Sequence, residues 1–153
     1  MSAMPRRLTG AFVWAVPLGM AIAALWLWTG GGKLADFAGP GSIVAPETWA
    51  QRFPAWLVGT SALAEVAIGL CGVLGRWRTM VLAGLVMLAL FSGALVMWPP
   101  RPGEACGCMG SSGAARAVEG LDPLIRNGVL AAGHLLLWVL VMPSKRGRAR
   151  QGE

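Results

Sequence analysis

Apolar residues along this chain fall into four long blocks separated by short polar or glycine- and proline-rich stretches. The blocks lie at roughly 11–29, 55–74, 79–98 and 124–142. Each approaches the ~20 apolar residues needed to cross a ~30 Å hydrocarbon layer. Backbone in lipid must satisfy its own hydrogen bonds, so the pattern predicts four membrane-spanning helices. The expected fold is all-α: one integral-membrane four-helix bundle spanning residues 1–153, with a basic tail at 144–153. Arg6 and Arg7 before the first block look like a signal peptide. The block exceeds the 7–15 apolar residues of a signal core, however, so an uncleaved first helix is expected.

Composition supports this reading. Of 153 residues, 56% are hydrophobic and 13% charged, with a mean hydropathy of +0.61. A soluble domain is closer to a quarter charged. The net charge of +6 would suit nucleic acid, but the cations flank apolar blocks and form no stripe with polar partners, so a nucleic-acid partner is rejected.

Charge placement predicts orientation. Arg6, Arg7, Arg76, Arg78, Lys145, Arg146, Arg148 and Arg150 all fall on one side of the four spans, where Glu153 is the only acid. On the other side, five cations are matched by five acids. The positive-inside rule then puts both termini in the cytoplasm and both longer loops outside an inner (cytoplasmic) membrane. Trp14, Trp26, Trp28, Trp56, Trp77 and Trp98 fall near block ends and are read as interface anchors. Within the first outer loop, Gly30-Gly31-Gly32 is expected to loosen the end of helix one. A short surface helix over Glu47–Phe53 would present Trp49 and Phe53 on one face. In the second outer loop, Asp122 and Pro123 are a plausible N-cap and first position for helix four.

That second outer loop carries Cys106-Gly107-Cys108. A disulfide across one glycine closes a small ring, expected to be strained and easily exchanged, and it restrains almost no chain. This favours thiol–disulfide chemistry over a structural staple. Two free thiols, a partial metal site or bonds to another protein remain the alternatives, although one histidine leaves an internal zinc site short of ligands. Cys71 lies ~25 Å down helix two from Pro54, too deep to reach the pair, and reads as a small buried hydrophobe.

Glu65 and His134 fall at matched depths, ~16 Å and ~15 Å down their helices. A membrane carboxylate needs a partner or a proton, so they are expected to pair, as a proton relay or quinone-side site, or as a polar clamp. Lys33 and Arg126 near the outer helix ends either snorkel to the interface or depress a thiol pKa in the Cys-Gly-Cys loop. Asp36 is placed to pair with Lys33, and Asn127 to tie loop backbone to helix four.

The residues Gly32-Lys33-Leu34-Ala35-Asp36, Glu65 with Gly69, Cys106-Gly107-Cys108-Met109-Gly110-Ser111 and Arg126-Asn127 occur in an order that resembles the MauE family, within the DoxX-like group of membrane proteins. Met109 departs from an expected aromatic, and Phe37 from a frequent proline. The resemblance implies a redox-associated membrane protein, a thioredoxin-like extracytoplasmic partner and a redox-enzyme client, methylamine dehydrogenase being the client of MauE itself. The bundle also looks similar to vitamin K epoxide reductase, which implies a quinone as electron acceptor. The leading expectation is a thiol–disulfide relay through Cys106 and Cys108, with Glu65 and His134 handling protons. The alternative is a non-catalytic anchor or assembly factor that docks a soluble redox enzyme. A transporter is disfavoured, since no inverted repeat is evident.

Overall fold

The computed structural model describes residues 7–38, 49–101 and 123–141. Within them the chain forms four α-helices: α1 (Arg7–Ala38), α2 (Ala55–Val73), α3 (Trp77–Met97) and α4 (Pro123–Val141). A short 3₁₀ helix, Trp49–Arg52, precedes α2. No strand occurs among the described residues. Each helix is long and apolar enough to cross a membrane. Successive helices pack against each other, and α1 against α4 closes the ring; the α1–α2 interface is the most extensive.

Three of the four expected helices agree with the observed bounds to within two residues; α1 does not. It runs nine residues beyond Thr29, straight through Gly30-Gly31-Gly32. Glycine triplets loosen a helix only where nothing holds it. Here Gly30 lies so close to α2 that a Cβ would sit 2.8 Å from the Ala62 carbonyl and 2.9 Å from Glu65 Cβ. The absent side chain lets two helices approach closely, the usual role of small residues in lipid-embedded bundles. Pro17 lies inside α1 and costs one backbone hydrogen bond, which membrane helices tolerate.

The α2–α3 turn shows how locally such a connection is specified. Gly75 adopts a left-handed φ of 72°. Its N–H donates to the Gly72 carbonyl, and the Arg76 N–H donates to the Cys71 carbonyl. That is the Schellman closure, which satisfies carbonyls left open at a helix end. Arg78 falls within the first turn of α3 rather than in the tight turn.

The interior combines an apolar core with buried polar groups, and the exterior is strongly apolar. A core of Ile22, Ala23, Ile68, Met80, Val81, Leu88 and Leu137 fills the centre. Leu63, Leu90, Val129 and Val139 point outward, each more than half exposed. Yet Lys33, Glu65, Asn127 and His134 are buried. Polar groups inside and large hydrophobes outside is the distribution expected when lipid is the solvent.

Candidate functional site

The buried polar residues form two connected joints. In the first, the Lys33 ammonium on α1 donates to Glu65 Oε1 on α2. Lys33 is 8% exposed and Glu65 1%. The ammonium also lies 5.1 Å from the ring centroid of Phe91 on α3, a cation–π contact. Arg126 on α4 is close enough to act electrostatically on both members of the pair. All four helices therefore converge on this ion pair.

The pair depends on the unexpected length of α1. Lys33 sits on the extra turns that continue past the glycines, so its side chain faces α2 and does not snorkel to the interface. A buried carboxylate without a partner is expensive in lipid, and the ammonium supplies one.

The second joint lies one to two turns deeper. Trp26 Nε1 on α1 donates to His134 Nε2 on α4 at 3.1 Å, with the rings edge to face. His134 Nδ1 lies 2.8 Å from the Leu130 carbonyl. A carbonyl only accepts, so the proton sits on Nδ1 and Nε2 is the acceptor. Gly84 on α3 makes room for this ring, because a Cβ there would collide with the imidazole. Thr29 links the joints: its hydroxyl donates to the Trp26 carbonyl at 3.2 Å and also faces the Glu65 carboxylate. With that single proton directed at the carbonyl, Glu65 Oε2 has no hydrogen-bond partner among the described residues.

These contacts revise the expected pairings. Glu65 and His134 do not pair with each other; Glu65 takes Lys33, and His134 takes Trp26. Residue counting had put the two at one depth, but His134 belongs to the deeper joint, and the facing direction of each side chain is set by how the helices pack. Both His134 nitrogens are engaged, which makes this residue a joint between α1 and α4. Lys33 takes Glu65 as its partner, where Asp36 was expected. The amide of Asn127 donates to Ser92 Oγ on α3 at 3.1 Å, so it ties two helices together rather than loop backbone. Trp26 is 6% exposed and part of the core, so it is no interface anchor. A clue was available: it is the one α1 tryptophan a full turn or more inside Lys33 whose i+7 partner is that lysine, which places both on one helix face. Trp14, Trp28, Trp56 and Trp98 do face outward.

Beyond the ion pair, the 3₁₀ helix packs on the C-terminal end of α3. Trp49 is 5% exposed, and its indole N–H donates to the Trp98 carbonyl. Phe53 stacks edge to face on both Trp49 and Trp98. Arg52 donates to the Pro99 carbonyl at 3.3 Å. Trp49 and Phe53 therefore do meet, although the helix is a 3₁₀ turn that ends at Arg52, and Phe53 reaches Trp49 from the residue beyond it. Beneath them lies a cavity of about 440 Å³ between α2 and α3, with Lys33 in its wall.

Cys106, Cys108 and Asp122 lie outside the described residues. Cys71 is a free, half-buried thiol packed against the core.

No curated protein and no solved structure matches this chain. Residues 9–141 do match a family described as methylamine utilisation protein MauE. That match covers all four helices and the buried polar joints, so this four-helix membrane protein belongs to the MauE family.

Proposed function

We propose that the chain is a membrane-embedded thiol–disulfide relay that serves the maturation of an extracytoplasmic redox enzyme. The observation that carries this reading is Cys106-Gly107-Cys108, two thiols one residue apart in the polar segment between α3 and α4 of a MauE-family protein. The partner is a thioredoxin-like extracytoplasmic protein. In the exchange, a partner thiolate attacks one sulfur of the Cys106–Cys108 disulfide and forms a mixed disulfide. The partner's second thiol then resolves it. The partner leaves with a disulfide, and this chain keeps two thiols. A strained, small-ring disulfide favours that direction.

The bundle supports the reading in two ways. The positive-inside rule, applied to the basic residues, supports this segment lying outside the cytoplasmic membrane, where disulfides persist. The outer end of α3 is also pinned: Trp98 and Pro99 are held by Trp49 and Arg52. Cys106 lies seven positions after Pro99, so the first thiol is tethered within ~25 Å of that anchor. A link to methylamine utilisation is proposed from the family's description.

The test is trapping. In cells carrying Cys108→Ser or Cys106→Ser, the remaining thiolate attacks the disulfide of the oxidised partner, the reverse of the exchange. With no second cysteine in the Cys-Gly-Cys to resolve it, a mixed disulfide with a thioredoxin-like protein should accumulate, visible as a dithiothreitol-sensitive band. A Cys106→Ala/Cys108→Ala variant that matures its client at the wild-type level would overturn the relay. Partner capture that persists without either cysteine, together with normal maturation, would establish a non-catalytic anchor instead.

A further inference from the structure

The cavity between α2 and α3 has a composition that selects its ligand. Its walls are overwhelmingly apolar, and its volume of about 440 Å³ falls within the ~300–1,000 Å³ of small-molecule sites. Three aromatic residues, Trp49, Phe53 and Phe91, line it from two sides. Their edge-to-face and cation–π contacts hold Trp49, Phe53 and Phe91 in place. Ala64 and Ala94 leave the space between them open. Leu57 and Leu90, at its rim, are 40% and 63% exposed on the outward apolar surface, so entry is from the lipid side.

One charged residue, Lys33, lines the cavity. Its charge is compensated by Glu65, yet an ammonium carries three N–H donors and the carboxylate takes one. The cavity therefore offers donors without offering a bare positive charge. An anionic amphiphile would have to compete with Glu65 for the ammonium. A neutral acceptor would not. Flat aromatic walls, an apolar mouth toward lipid and a donor at the inner wall together match an uncharged, planar ring that carries a carbonyl oxygen and an apolar tail.

We infer that this cavity binds the head group of a membrane quinone, with a ring carbonyl accepting a hydrogen bond from Lys33. Binding stands on the cavity alone; its redox purpose rests on the relay proposed above. In that relay, Cys106 and Cys108 lose two protons and two electrons as their S–S bond forms. The quinone takes up two electrons and two protons and leaves as quinol. The chain is thereby reset to its disulfide form.

The experiment uses the full chain in lipid nanodiscs with decyl-ubiquinone as the probe and tryptophan fluorescence as the readout, since Trp49 lies in the cavity wall. Saturable quenching is expected, at least tenfold weaker in Ala94→Phe, which fills the cavity without touching the ion pair. Ala64→Leu fills it from α2 and gives a second test should Ala94→Phe fail to fold. Oleate at equal concentration should not displace the quinone. Quenching that is unchanged in the folded filled variants, or oleate displacement at equal concentration, overturns the inference. Loss of the mixed-disulfide band in the trapping experiment bears on the relay instead, so the two failures are distinguishable.

Discussion

Lys33 and Glu65 sit in a setting where each needs the other. Removing one partner of a buried pair leaves an uncompensated charge and costs roughly 3–5 kcal/mol, whereas replacing both with apolar residues is often neutral or stabilising. Lys33→Met and Glu65→Leu should therefore each destabilise the bundle by about that amount, and the double variant should recover most of the loss. Thermal unfolding in detergent, read as a double-mutant cycle, checks this. A double variant as stable as wild type that no longer functions would show that the pair is kept for function. At this scale the sequence revealed that Glu65 needed a partner. The partner expected was His134 and the structure supplies Lys33, because facing direction follows from packing and not from residue count. Trp26 illustrates the same limit. Its position near a block end suggested an anchor, yet its indole is the donor that fixes the His134 tautomer.

At the scale of elements, local sequence was informative wherever the chain had to turn. Leu74-Gly75-Arg76 closes α2 with a Schellman motif that requires a positive φ at Gly75. Gly75→Ala should cost about 1 kcal/mol, and Gly75→Asn less, since asparagine tolerates the left-handed region better. The shift in midpoint of thermal unfolding measures both. Glycine misled where it packed against a neighbour. Gly30-Gly31-Gly32 has the composition of a helix end, but Gly30 meets Ala62 and Glu65 of α2, and the helix continues to Ala38. Composition alone cannot distinguish a glycine that frees the backbone from one that lets another helix in. A short surface helix was anticipated over Glu47–Phe53; the structure gives a 3₁₀ turn at Trp49–Arg52 with Trp49 buried. Its role as a roof pinned to Trp98 depended on contacts some 49 residues apart in sequence.

For the whole molecule, orientation gives the broadest prediction. A membrane-impermeant maleimide applied to intact spheroplasts should label Cys108 in a Cys106→Ala/Cys71→Ala background. A cysteine placed at Ser144 should react only after the membrane is opened. Labelling of the tail from outside would reverse the orientation drawn from the basic residues. The number of helices, the membrane as solvent and the lengths of α2, α3 and α4 were legible in the sequence, because burying a polar backbone in hydrocarbon permits few solutions and apolar block length sets the span, whereas the length of α1 was not. The Cys-Gly-Cys and the family motifs were also legible as short, local patterns. Tertiary structure alone decided which buried groups meet: Lys33 with Glu65, Trp26 with His134, Asn127 with Ser92. It also decided that a cavity remains between α2 and α3. Those outcomes depend on the rotation of each helix about its axis, which is set by side chains on neighbouring helices.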